Sequence, residues 1–144
     1  MTEWFARPVL QVTDVAAALR FYVERLGFTN PWRYDEDGRL RVAQVERQRC
    51  ALILTNNLPE KIGNGLIFVS LNVEPETYEA SVAALDGLRA ELESRGVMVR
   101  DASWGYRVLV VNDPDGNQLF FNYPNKDEFA ATTGDGASLA HLVR

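Results

Sequence analysis

Few residues in this sequence could do chemistry alone. The one cysteine, Cys50, lies inside an apolar run, where a thiol behaves as a small buried hydrophobe. A single cysteine excludes an internal disulfide and a cysteine-built metal cluster. The one histidine, His141, stands near the C-terminal end beyond Gly134 and Gly136 and is read as a solvated side chain. Asp35, Glu36 and Asp37 crowd one tight turn before Gly38, which reads as an acidic, solvated tip. Tyr106, Arg7 and Arg107 could serve acid–base or anion-binding work, but spacing alone sets no nucleophile–base pair and no carboxylate pair. Trp32 and Trp104 fall near loop or strand ends. There they either pack or offer flat contact area to a planar ligand or a cation. Trp4 could equally be a packing residue of an N-terminal arm.

The elements that hold these residues come in two similar sets. Residues 5–12 read as a strand ending at Thr13-Asp14. Asp14 is a good helix N-cap, and Val15, Leu19, Tyr22, Val23 and Leu26 recur at helical spacing up to a stop at Gly27. Residues 28–34, 40–46 and 50–55 read as strands. Residues 56–65 contain Asn56-Asn57, Pro59 and Gly63 and form a linker. The order then repeats. Residues 66–73 form a strand, and Pro75-Glu76 opens a helix closed by Gly96 with Leu85, Leu88 and Leu92 on its apolar stripe. Strands 97–100, 106–111 and 118–123 follow. Asp113-Pro114-Asp115-Gly116 makes the last hairpin turn. Leu19-Arg20, Glu24 and Gly27-Phe28 match Leu88-Arg89, Glu93 and Gly96-Val97, so the pattern is a duplicated β-α-β-β-β unit.

Composition narrows the class. The chain has 144 residues, 47% hydrophobic, with a formal net charge of -5. That is the size of one domain with a real core. An acidic surface disfavours nucleic acid as a partner. It attracts cationic ligands or serves ordinary solubility. The first residues lack the pattern of a signal peptide, and no apolar run nears the roughly 20 residues of a membrane span. A cytoplasmic protein with no membrane partner is expected.

The motifs resemble a known family. Arg7-Pro8-Val9-Leu10-Gln11-Val12-Thr13-Asp14, with Ala17-Ala18-Leu19-Arg20-Phe21-Tyr22 and Leu26-Gly27-Phe28, is similar to the opening of proteins of the vicinal oxygen chelate superfamily. That superfamily comprises glyoxalases, bleomycin-resistance proteins and dioxygenases. Trp104-Gly105-Tyr106-Arg107 and Asp113-Pro114-Asp115-Gly116-Asn117-Gln118-Leu119 resemble its closing segment, most like the bleomycin-resistance branch. The resemblance covers about residues 5–124. It implies an α+β fold in which two paired modules, about 5–55 and 66–124, curl into an open cup of mixed sheet with helices outside. Together they make one domain over 1–125, followed by a tail at 126–144.

In the family's metalloenzymes, histidine and glutamate side chains inside the cup hold a divalent metal. The matching positions here are Arg7, Phe68 and Phe120, with Ile53 the first-half counterpart on one alignment. Arginine has no free lone pair, and phenylalanine and isoleucine have no donor atom. No metal and no other cofactor is therefore expected. Strand alternation from these positions turns Arg7, Gln11, Phe68, Ser70, Asn72, Gln118, Phe120 and Asn122 toward the cup. Trp32, Trp104 and Tyr106 are placed at its rim. These are the candidate ligand-binding residues, and no catalytic residue is assigned. The resemblance implies a homodimeric protein that binds a small molecule, with sequestration of bleomycin-type antibiotics as one form. The alternatives are a glyoxalase- or dioxygenase-like lyase or oxidoreductase acting on an unidentified small substrate, and a purely structural module.

Overall fold

The computed structural model describes residues 1–126. It contains strands β1 (Val9–Gln11), β2 (Thr29–Glu36), β3 (Arg39–Arg47) and β4 (Cys50–Thr55) with helix α1 (Val15–Arg20). Strands β5 (Leu66–Val69), β6 (Val99–Ser103), β7 (Arg107–Asn112) and β8 (Gln118–Asn122) follow, with helix α2 (Tyr78–Ser94). The order β-α-β-β-β thus occurs twice, as expected. Each set forms its own four-stranded mixed sheet, β1-β4-β3-β2 and β5-β8-β7-β6. In each, the first strand runs parallel to the last and the remaining pairs are antiparallel. The fold is α+β with open sheets.

Local chemistry explains most boundaries. The Asp14 carboxylate accepts from the Ala16 and Ala17 N–H groups and starts α1. The helix then widens into a π-helical turn, Phe21–Arg25, and ends at Gly27 with φ 74°. Thr77 caps α2 through the Ala80 N–H. Three expectations need correcting. The first strand is only Val9–Gln11, because the residues before it find few ladder partners. The fifth is only Leu66–Val69, and α2 begins at Tyr78 rather than at Pro75. Exposure still alternates through residues 70–73, so that segment is extended, but it leaves β8 after Val69. A strand-like sequence without a ladder partner is not a strand.

The helix-facing side chains of both sheets meet in one apolar core. It runs from Leu10, Val45 and Leu54 of the first half to Leu109, Val111 and Leu119 of the second. The other faces of the sheets therefore point away from it. Polar clasps between the halves are reciprocal. The Arg25 guanidinium donates to the Arg95 carbonyl, and that of Arg95 donates to the Glu24 carbonyl. The repeat alignment matches Tyr22 with Glu91. The Tyr22 hydroxyl donates to Asp113 in the second-half hairpin turn, and Glu91 accepts two bonds from Arg47 at the first-half hairpin.

The corner at Asp113 is sealed. Asp113 and Asn117 are buried. One Asp113 carboxylate oxygen accepts from the Asp115 and Asn117 N–H groups and the other from the Asn117 amide. That amide also donates to the Gln11 carbonyl and accepts from the Gly65 N–H. Gly65 is required there, since a Cβ would run into Leu10 and Asn117.

Candidate cup-face binding site

The outward face of the second sheet carries the densest group of candidate residues. The parallel register sets Phe68 beside Phe120, and the antiparallel register sets Phe120 beside Val110. The Trp104 ring stacks on Phe68, with centroids 5.2 Å apart and planes at 15°, and leans on Phe120 at 5.5 Å and 60°. Val108 and Val110 share this face. They are fully buried yet stand outside the helix-side core, so they floor the aromatic group. Trp104 nevertheless keeps 51% exposure and Phe68 42%. Two large flat rings are thus presented to solvent on a rigid sheet.

The hairpin that presents Trp104 is anchored from behind. Gly105, with φ 105°, turns the chain between β6 and β7, and the Trp104 N–H donates to the Tyr106 carbonyl across the turn. At the hairpin base Asp101 bridges Arg107 and Arg89, each at 2.8 Å. These two guanidiniums hold its carboxyl below the usual range. The Arg107 guanidinium lies over the Tyr123 ring at 3.9 Å. The Tyr123 hydroxyl, pushed up to about 12 chiefly by burial, donates to Asp86 on α2. Arg107 is therefore a structural anchor of the helix side, and Tyr106 is half-buried in the turn itself.

The outward face of the first sheet is more polar. Arg7 is exposed and donates to the Gln44 side chain at 2.9 Å. Gln44 in turn reaches Glu46 at 3.4 Å. Trp32, Tyr34 and Val9 are exposed on the same face. Gln11 differs from its sequence reading: it is buried, its amide donates to Asn57 and its carbonyl accepts from the Leu58 N–H. It ties down the linker. Gln118 donates to Asn112, and Asn122 makes a long bond to the Tyr123 carbonyl. Ser70 and Asn72 are exposed on the unpaired segment that follows β5.

The structure thus gathers Phe68, Trp104 and Phe120 and sets Gln118 and Asn122 on the same sheet. Arg7 and Trp32 lie on the other sheet, and no ring contact joins Trp32 to Trp104 among the described residues. Sequence reasoning missed Tyr34, Leu66, Val108 and Val110. The period of two from Trp32 and Phe68 names the first two. The two valines are indistinguishable by type from the helix-facing ones beside them.

Register also tests the metal positions. Phe68 pairs with Phe120 and Val9 with Ile53, so the first-half counterpart of Phe68 is Val9 when Ile53 matches Phe120. Neither Val9 nor Arg7 offers a lone pair to a metal. Among the described residues no group of three or more His, Cys, Asp and Glu side chains could hold a metal ion. His141 lies outside the described residues. The residues present do not fit the family's metal.

A family model for the Glyoxalase/Bleomycin resistance protein/Dioxygenase superfamily matches residues 4–121. The chain belongs to that superfamily. Solved structures agree on the fold. One is TnmS3, an antibiotic binding protein from Streptomyces sp. CB03234, at 22% identity and TM-score 0.63, covering 87% of this chain and 100% of that one. Another is the bleomycin-binding protein from bleomycin-producing Streptomyces verticillus, complexed with copper(II)-bleomycin, at 23% identity and TM-score 0.62, covering 87% and 100%. Lactoylglutathione lyase from Agrobacterium tumefaciens matches at 18% identity and TM-score 0.58, covering 84% and 93%. No curated protein matches the chain. In this superfamily chain the candidate cup residues lie on the outward faces of two separate open sheets. Among the described residues no helix is long and apolar enough to cross a membrane.

Proposed function

We propose that this superfamily member binds a small molecule without a metal, and that the ligand lies on the cup face around Phe68, Trp104 and Phe120. The observation that carries the reading is the stacked, solvent-facing aromatic pair on a floor of buried valines. Flat rings held rigidly give contact area at little entropic cost. A net charge of -5 attracts a cationic ligand, while Arg7, held by Gln44, offers donors to an acceptor on the same molecule. A bleomycin-type antibiotic, cationic and flat-ended, has this chemistry. Sequestration of such a compound by a cytoplasmic protein asks only for affinity. Residues 1–125 act as one domain in this reading, with residues 126–144 appended. The reading includes a homodimer, in which a second copy setting its Arg7 face opposite this copy's Trp104 face turns two open sheets into a cleft.

The test is tryptophan fluorescence titrated with metal-free bleomycin at low and moderate salt. Saturable quenching at micromolar or tighter affinity, lost in Trp104→Ala, is expected. A flat titration at both salts removes bleomycin from the reading.

A further inference from the structure

The duplicated halves meet at two equivalent corners, and only one is closed. At the first, the second-half hairpin turn packs against the end of β1 and the start of the π-helical turn. The buried Asp113, Asn117 and Tyr22 groups fill it. The equivalent corner lies where the first-half hairpin, Arg47 to Cys50, faces the end of β5 and helix α2. There the chain between β5 and α2 is longer: β1 stays bonded to β4 as far as the Val12 N–H, but β5 leaves β8 after Val69 and α2 begins only at Tyr78. The space this leaves is a cavity of about 690 Å³ on the helix side of the sheets. Pockets of roughly 300–1,000 Å³ suit small organic ligands.

The walls define the occupant. Leu52, Val69, Leu71, Leu88 and the half-buried Cys50 supply apolar surface. The charged side chains at the edge are two basic, Arg47 and Arg49, and two acidic, Glu74 and Glu91. Arg47 and Glu91 neutralise each other in a two-bond pair at 2.9 Å. A charge-balanced rim around an apolar wall complements an uncharged, hydrophobic molecule and gives a polyion of either sign no net attraction. We infer that this cavity between the halves, which borders the cup face at Phe68, Ser70 and Asn72 but is not lined by Trp104 or Phe120, is a second ligand site for an uncharged apolar small molecule.

Cys50 is the single cysteine of the chain and lines the cavity, so its reactivity reports on this site alone. The experiment measures alkylation of Cys50 in the full chain by a small uncharged maleimide, with and without N-phenyl-1-naphthylamine as an apolar probe. Saturable probe fluorescence is expected, with Cys50 alkylation slowed in proportion to occupancy, about tenfold near saturation. Ala84→Trp, which fills the cavity from α2, abolishes the probe-dependent slowing, and Ala84→Leu weakens it. Trp104→Ala, on the cup face, leaves it unchanged. Probe binding that does not alter Cys50 alkylation overturns the inference. So does a Cys50 already fully protected without probe, whether by the chain's own residues or, if protection rises with protein concentration, by a second copy. Slowing that survives both Ala84 variants but disappears in Trp104→Ala moves the site to the cup and overturns it as well.

Discussion

The residue with most at stake is one the sequence shows only as part of a turn. Asp-Pro-Asp-Gly-Asn is ordinary turn chemistry, yet Asn117 is fully buried and bonds to both halves of the chain. Removing a buried amide leaves the Asp113 carboxylate and the Gly65 N–H short of partners. Asn117→Ala should cost about 2–4 kcal/mol in urea denaturation. Asn122→Ala, half-exposed with one long bond, should change stability by less than about 0.5 kcal/mol. Tyr22 adds a pH dependence. Burial, with Asp113 beside it, raises its hydroxyl far above the ordinary 10.0. A raised folded pKa means its contribution is whole below pH 10 and is lost as pH rises beyond that. Tyr22→Phe should cost about 1 kcal/mol at neutral pH and should flatten the alkaline limb of a stability–pH curve. If the limb is unchanged, the tyrosine is not its source. None of this was legible beforehand, because the partners are about ninety residues apart and only the fold joins them. The aromatic site was partly legible. Phase carried Phe68 and Phe120 to one face, but nothing in the string of residues said that Trp104 would stack on one and lean on the other.

At the scale of elements, the cap and stop of the first helix were readable, whereas the Thr77 start of α2 and the extent of β1 and β5 were not. Asp14 and Gly27 delimit the first helix as their types predict, and β4 runs over the expected residues. Residues 5–8 and 70–73 have strand-like sequences but no partner along most of their length, and partnership is a property of the sheet. Asp14→Ala should cost about 1 kcal/mol by thermal melting. The β6–β7 hairpin depends on Asp101. Its depressed carboxyl contributes above the usual carboxylate range, and that contribution is lost as pH falls through its lowered folded value. Asp101 is half-exposed, so the effect on global stability is small. The sensitive readout is local: Asp101→Asn should increase Trp104 mobility in fluorescence anisotropy. An unchanged anisotropy would show that stacking on Phe68 suffices to hold the ring.

At the scale of the molecule, both sheets leave apolar side chains facing outward. Val9, Trp32 and Tyr34 do so on one sheet and Leu66, Phe68 and Trp104 on the other. Contiguous exposed apolar surface marks an interaction face. If a second copy covers these faces, sedimentation velocity should show a dimer at micromolar concentration, and Phe68→Asp should shift it toward monomer with the far-UV spectrum retained. A monomer across that range would leave the faces to ligand alone.

The reciprocal clasp at the helix ends carries a historical reading as well. Arg25 grips the carbonyl of Arg95, and Arg95 grips that of Glu24, while each half closes its own sheet without borrowing a strand. Such a joint is nearly unchanged when its two sides trade places, which is the signature of identical chains meeting about a twofold axis. Before the linker existed, an ancestral half could have met a copy of itself through this surface. Fusion then freed the two sides to diverge: one corner became a tightly bonded joint, and the other, bridged at its edge by Arg47 and Glu91, was left more open.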